Sequence, residues 1–255
     1  MNRLANAELL KLRKRRPLFW WTLVLTVGVV SVVYAIIAIL HLSDPAHHDP
    51  AGGINGFQGS AIGLTLAGSV AAIMVGAASG TLDVSSGVFR DLVATGRSRW
   101  ELFAARVPGS LALFLPMITL GYIVITVCSL GLAGGTPTPD AGLIARGFGW
   151  VVLATGFDLL IALGLSSFIG SRATAIGVLI GWQFIAAPLL SQVTFLGPVR
   201  QALFGGALDR LAPRVITADN GPLLVHSAAI AAIVLACWLA VLLGAGAWRT
   251  ATRDA

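Results

Sequence analysis

Residues 80–106 read GTLDVSSGVFRDLVATGRSRWELFAAR, and they separate two apolar runs that are each long enough to cross a bilayer. The charged residues of this stretch are Arg90, Arg97, Arg99, Arg106, Asp83, Asp91 and Glu101. A connection between two membrane helices needs only a few residues. A polar stretch of about 27 residues with its own helical pattern therefore predicts a segment that docks onto another protein.

The composition around this stretch is that of an integral membrane protein. The chain has 255 residues, of which 56% are hydrophobic and only 11% are charged, whereas a soluble domain carries about 25% charged residues. The mean hydropathy is +0.87. The formal net charge of +6 is concentrated beside the apolar runs, which argues against a nucleic-acid partner and favours membrane lipids.

Hydropathy and turn residues predict an all-α integral membrane protein with six transmembrane helices in a single domain, 1–255. Residues 1–17 are predicted to form a basic interfacial helix, and residues 191–222 an external loop that contains a short amphipathic helix. The predicted spans are 18–40, 59–79, 107–132, 147–169, 173–190 and 223–247.

The positive residues predict the orientation of these spans. With the N-terminus inside, 13 of the 17 lysines and arginines fall in internal segments and 4 in external ones. Cytoplasmic loops carry such an excess of positive charge. We therefore expect a multi-pass protein of the cell membrane, with both termini and the 80–106 stretch in the cytoplasm.

Polar and small residues inside the spans suggest further sites. Asp158 lies inside the predicted fourth span, where an ionised carboxylate costs about 2.5–3.5 kcal/mol. It either lines a substrate or ion path or makes a hydrogen bond in the bundle interior, for which Gln183 is a candidate partner. Small residues four positions apart predict close helix packing, and they are Gly59 with Gly63, Gly76 with Gly80 and Gly177 with Gly181.

Motifs for catalysis are not found in the sequence. The only lysines are Lys11 and Lys14, so the chain has no P-loop, whose phosphate-binding lysine follows a glycine-rich turn. There is also no HExxH, GxSxG or zinc-type cysteine spacing. We expect a chain that is not an enzyme and that carries no metal or cofactor, so any uphill transport would draw its energy from another subunit.

Within the opening stretch, residues 86–99 resemble the first cytoplasmic loop of ABC-2-type transporter permeases. In that family an acid and a glycine precede a hydrophobic-x-Arg-x-Leu-Leu run, a Thr-(Pro/Gly)-x-Ser-Arg turn and a basic residue at the start of the third span. This chain departs from the pattern at Ser86, in place of the acid, and at Val93, in place of the second leucine. The matching residues are Gly87, Arg90, Leu92, Thr95, Gly96, Ser98, Arg99 and Arg106.

The resemblance extends to the basic N-terminus, the six spans and the long external stretch before the last one. It implies a permease subunit that forms a homodimer or heterodimer and pairs with a cytoplasmic ABC ATPase, which would hold the ATP and Mg²⁺. The N-terminal segment would be an elbow helix, and the loop would be the coupling helix that sits in a groove of the ATPase.

The spacing of apolar residues in this loop is consistent with such a contact. Val84, Val88 and Leu92 recur at i, i+4 and i+8, so they share one face of a helix. Phe89 lies beside this face, and the charged pair Arg90 and Asp91 flanks it. Together with Gly87, these are the predicted ATPase-contacting residues.

Three hypotheses about function follow. The leading one is the permease subunit of an ATP-driven transporter that exports a hydrophobic or amphipathic substrate, since the spans contain few polar residues. The second is an ion-coupled secondary transporter in which Asp158 is the ion site. The third is a membrane sensor or immunity protein that uses the same loop to hold a soluble partner without transport.

Overall fold

A computed structural model describes residues 2–85, 87, 96, 98–193, 195, 202–214, 216 and 227–252. All regular secondary structure among these residues is helical, and six helices are long and apolar enough to cross a membrane. The helices are α1 (Asn2–Lys14), α2 (Arg16–Ser43), α3 (Gly53–Ser85), α4 (Arg99–Gly131), α5 (Ala141–Ile169), α6 (172–192), α7 (Phe204–Leu211) and α8 (Ala228–Thr252). The predicted all-α fold with six apolar spans is confirmed.

Several helices continue beyond the predicted apolar spans because polar residues cap them. Ser98 precedes α4 and accepts a hydrogen bond from the backbone N–H of Glu101 at 3.2 Å, an arrangement that satisfies an otherwise unpaired helix N–H. Asp140 does the same for Leu143 at the start of α5, at 2.6 Å. The predicted polar loop 80–106 is therefore too long, since α3 reaches Ser85 and α4 begins at Arg99.

The centre of the bundle is the pair α3 and α5. Each has 61% of its most apolar 18-residue window buried, the largest share among the six spans. Gly76 and Gly80 of α3 lie directly against the backbone of α5, and a methyl group at Gly76 would overlap the carbonyl oxygen of Leu159. Small residues at these positions allow the two backbones to approach closely.

Gly76 and Gly80 are one of the pairs predicted to allow close packing, and a further close helix contact depends on glycines that were not predicted. Gly164 of α5 and Gly246 of α8 lie against each other. A Cβ atom on any of four other glycines would meet nothing within 4 Å in the chain; these are Gly59, Gly63, Gly177 and Gly181. Their predicted packing inside the bundle is therefore wrong for the described residues, because α3 buries its Leu64–Gly68 face instead. A role at a dimer contact stays a prediction.

The N-terminal helix α1 packs on α4 rather than only lying in a headgroup layer. Leu12 of α1 is completely buried. Gly109 of α4 lies against Glu8 and the backbone of Ala5, so a side chain at position 109 would separate the two helices. Lys14 and the other basic residues at the end of α1 stay exposed or half-buried. The interfacial helix is therefore also a packed element of the bundle.

The ends of several helices meet beside α1. The guanidinium of Arg99 donates a hydrogen bond to the carbonyl oxygen of Ala251 at 2.9 Å, which joins the start of α4 to the end of α8. Ser167 near the end of α5 donates to the carbonyl oxygen of Gly80 at 3.3 Å. This end of the molecule, with α1, the last turn of α3 and the first turns of α4, is called the α1 end below.

Candidate functional site

A cluster of four charged side chains lies at the α1 end, beside the polar stretch. Asp83 is in the last turns of α3 and Arg106 is two turns into α4, and their side chains are about 97–99% buried. Nη2 of Arg106 lies 3.2 Å from Oδ2 of Asp83, and Nη1 donates to the carbonyl oxygen of Gly80 at 3.3 Å. The ion pair therefore joins the helix that enters the polar stretch to the helix that leaves it.

Helix α1 contributes the other two charges. Nζ of Lys11 lies 2.9 Å from Oδ1 of Asp83 and 2.6 Å from Oε1 of Glu8. Glu8 and Lys11 are three residues apart, so they share one face of α1. The two carboxylates of the cluster balance its two cations, which a buried set of charges requires. Three helices are thus tied together at one point.

The environment shifts the proton affinities of the two α1 residues. Burial, and then the nearby charge of Asp83, raise the pKa of Glu8 above its ordinary value of 4.5, although the hydrogen bond from Lys11 opposes this. Burial alone would lower the pKa of Lys11, but its hydrogen bonds to Glu8 and Asp83 together outweigh burial and raise it above 10.5. Both shifts favour the protonated forms, so Lys11 keeps its charge at neutral pH.

The predicted ATPase-contacting residues begin just beyond this cluster. Val84 lies in the last turn of α3, and Gly87 is exposed with φ at +73°, a left-handed conformation that favours glycine. The other five lie outside the described residues; they are Val88, Phe89, Arg90, Asp91 and Leu92. Their shared apolar face stays a prediction.

A second polar cluster surrounds Asp158 inside the bundle. Asp158 is 3% exposed and lies on the face of α5 that packs against α3. Its Oδ2 accepts a hydrogen bond from Ser69 of α3 at 2.5 Å and one from Nε2 of Gln183 at 3.2 Å. The hydrogen bond expected between Asp158 and Gln183 is therefore present, and Ser69 is a partner that the sequence analysis did not identify.

Gln183 belongs to a short irregular part of α6. Residues Trp182–Ala186 form a π-helical turn, a local widening of the helix that is frequent at functional sites. Beside it, the ring of Phe204 in α7 packs against Phe157 and Trp238 at centroid distances of 5.4 and 5.7 Å. Phe204 thus joins α7 to α5 and α8 through aromatic contacts.

Among the described residues, no group of three or more His, Cys, Asp or Glu side chains is placed to hold a metal ion. The structure instead shows two separate clusters, each built around a buried aspartate. Asp83 pairs with cations, and Asp158 accepts hydrogen bonds from neutral donors.

Six apolar helices, with polar clusters buried at their ends and between them, define this molecule as an all-α, multi-pass membrane protein. Comparison of the chain with family models, with curated proteins and with solved structures finds no match. The residues themselves are therefore the basis for a functional interpretation.

Proposed function

We propose that the chain is the permease subunit of an ATP-driven transporter of the ABC-2 type, with its ATPase on a separate cytoplasmic chain. The observation that carries this proposal is the ion cluster of Glu8, Lys11, Asp83 and Arg106 at the base of the polar stretch. It supports a mechanical role for that stretch, because it ties the two helices on either side of residues 86–98 to each other and to α1.

A segment that transmits force from an ATPase must be joined rigidly to the spans that it moves. Helix α3 continues without a break from Gly53 to Ser85, and it is packed along α5 through Gly76 and Gly80. A push on residues 86–98 would move the ends of α3 and α4 together, because the Asp83–Arg106 pair joins them. Interiors are close-packed and resist compression, so α3 would pass this displacement to the centre of the bundle.

The orientation in this proposal follows the positive charge of the sequence. The α1 end faces the cytoplasm of the cell membrane, where the ATPase would bind ATP and Mg²⁺. The permease acts as a homodimer or heterodimer, and the transported molecule is hydrophobic or amphipathic and is exported. The least buried spans support a further contact in the membrane, since α6 and α8 each bury only 11% of their most apolar window.

The test of the proposal is the contact between the polar stretch and the ATPase. We expect the purified chain to retain a co-expressed ABC ATPase. The double variant Val88→Asp/Leu92→Asp should lower the retained ATPase about tenfold or more, because it places two charges on an apolar contact. Reversal of the charged pair, Arg90→Glu with Asp91→Arg, should weaken retention or uncouple ATP hydrolysis from transport.

A matched control is Leu42→Asp. Leu42 is 78% exposed and lies at the end of α2 farthest from α1, so this variant adds an exposed charge without touching the polar stretch. Equal ATPase retention by the wild type and by Val88→Asp/Leu92→Asp would contradict the coupling role. Retention of the ATPase without ATP-dependent flux in vesicles would instead favour the non-transporting sensor or immunity protein.

The buried Asp158 favours a second candidate function, an ion-coupled secondary transporter. Its carboxyl group lies between three spans, and within the described part of the chain its hydrogen-bond donors are the neutral groups of Ser69 and Gln183. Ionisable groups in such positions are frequent in proton relays. The variant Asp158→Asn separates this candidate from the ATP-driven one.

A further inference from the structure

A cavity of about 510 Å³ lies at the α1 end, between the junction of α1 with α2 and the start of α6. It is open to the surroundings rather than enclosed. The cavity lies where the first and fifth spans begin, at Arg16 and Arg172. It is separate from the ion cluster and from Asp158, since neither contributes a lining residue.

Four cationic side chains line this cavity: Lys14, Arg15 and Arg16 from the α1–α2 junction, and Arg172 from α6. None of the four forms an ion pair with a carboxylate within the described part of the chain. Lys11, one turn before Lys14, has two carboxylate neighbours instead. Like charges that share a site repel one another, so an anion between them would offset this repulsion.

The remaining wall of the cavity is apolar and belongs to the spans. Leu18 and Trp21 come from α2, and Met74 comes from α3. Trp21 is 57% exposed, and tryptophan is enriched where the headgroup layer meets the hydrocarbon. The cavity thus has a cationic rim at the ends of two spans and an apolar side that continues along them.

We propose that this cavity binds the phosphate group of an anionic lipid, with the phosphate between Arg15 and Arg172 and an acyl chain along Trp21 and Met74. Guanidinium groups bind phosphate oxygens in a bidentate manner. Basic pockets between transmembrane helices are suited to anionic headgroups. The apolar wall favours a lipid over free phosphate, which would leave that wall without a contact.

This lipid would also connect two parts of the bundle. Arg15 lies directly after α1, which the ion cluster ties to α3 and α4, and Arg172 opens α6, which carries Gln183. The inference does not depend on an ATPase partner, because it requires only that the chain sits in a membrane.

The experiment measures lipid binding to the purified, delipidated full chain by native mass spectrometry. Phosphatidylglycerol should bind with an affinity about tenfold or more above that of zwitterionic phosphatidylcholine. The double variant Arg15→Gln/Arg172→Gln should lose about tenfold or more of the phosphatidylglycerol affinity, because each arginine near an anionic headgroup contributes to binding. Inorganic phosphate at millimolar concentration should not displace the lipid.

The matched control is Arg3→Gln/Arg13→Gln, which removes the same charge from exposed positions of α1 outside the cavity. This control should lose about threefold or less of the phosphatidylglycerol affinity, which is the effect expected of general surface charge. Met74→Trp keeps every charge but fills the apolar side, and it should also lower phosphatidylglycerol affinity. Thermal unfolding of each variant in phosphatidylcholine verifies that it is folded. Equal losses in the two arginine pairs, or displacement of the lipid by inorganic phosphate, would overturn the proposal.

Discussion

Asp83 and Asp158 are both buried aspartates, with 2% and 3% of their surface exposed, but their neighbours differ in kind. Asp83 lies at the end of α3, between Lys11 at 2.9 Å and Arg106 at 3.2 Å. Asp158 lies in the middle of α5 and, among the residues that the structure describes, accepts hydrogen bonds from the neutral groups of Ser69 and Gln183. The two sites show how burial of the same residue type leads to two different roles.

The contrast follows from where each residue lies in its span. At the end of a span, long lysine and arginine side chains can reach a buried carboxylate and neutralise it. In the middle of a span a cation would itself be costly, so hydroxyl and amide donors take its place. Asp83 is therefore suited to fasten helices together, whereas Asp158 is suited to a polar contact that can change during function.

The largest effect should come from removal of the charge of Asp83. Asp83→Asn leaves the guanidinium of Arg106, which is 99% buried, without its carboxylate, and breaking a buried ion pair in this way costs about 3–5 kcal/mol. We expect a lower thermal unfolding temperature in lipid and faster trypsin cleavage after Arg13 and Lys14, because Lys11 of α1 loses its ion pair with α3 and keeps only the one with Glu8 in its own helix. Both are measured on the purified chain.

The control for this prediction replaces both partners by apolar residues of similar size. Asp83→Leu/Arg106→Met removes the pair without leaving a buried charge from it, and such replacements are often neutral or stabilising. The double variant should therefore unfold at a temperature closer to that of the wild type than Asp83→Asn does. A double variant as unstable as Asp83→Asn, or an Asp83→Asn variant as stable as the wild type, would show that the pair does not fasten α3 to α4.

The two aspartates also differ in how far the sequence could predict their surroundings. Hydropathy predicted six spans, and an acid in mid-span required a hydrogen-bond partner, so Gln183 could be named for Asp158. Ser69 could not, because α3 also carries Ser60, Thr65 and Ser79, and the sequence does not say which of them faces α5.

For Asp83, the partners depend on tertiary packing. Lys11 is 72 residues away in the chain, and it reaches Asp83 only because Gly109 lets α1 approach α4. The extension of α4 was predictable, since Ser98 and Glu101 have the spacing of a capping box; hydropathy alone ignores such polar turns. The glycine contact at Gly76 and Gly80 was predicted from its spacing, but the same spacing at Gly59 and Gly63 misled, because small residues four apart occur on exposed and buried faces alike.

A smaller effect is expected at the second aspartate. Asp158→Asn keeps an oxygen that can accept from Ser69 and Gln183, so we expect a loss of about 1 kcal/mol or less in the free energy of unfolding. If transport is driven by the partner ATPase, ATP-dependent flux into vesicles should persist in this variant. Asp158→Leu is the comparison, since it leaves both donors unpaired and should cost about 1–3 kcal/mol.

If the Asp158→Asn protein is folded but does not transport, the expectation that Asp158 is dispensable for ATP-driven transport is contradicted. If, in addition, a proton gradient alone drove transport by the wild type, Asp158 would be the ion site of a secondary transporter. Flux by wild type and variant that depends on ATP to the same extent would leave Asp158 as an interior hydrogen-bond acceptor.

The smallest effect concerns Glu8, the outer carboxylate of the cluster around Asp83. Its pKa is raised above 4.5 by burial and by Asp83, so the folded chain holds this proton more tightly than the unfolded chain. The contribution of Glu8 to stability is therefore fully present below pH 4.5, falls as the pH rises through the raised pKa, and is constant above it. Glu8→Gln does not titrate, and its unfolding temperature should change less between pH 4 and pH 8 than that of the wild type. Lys11 stays charged throughout this range, because its pKa lies above 10.5.

The control for this prediction is Asp49→Asn, which removes an exposed carboxylate outside the cluster and should leave the wild-type pH dependence unchanged. If Glu8→Gln showed the same pH dependence as the wild type, Glu8 would not be the titrating group.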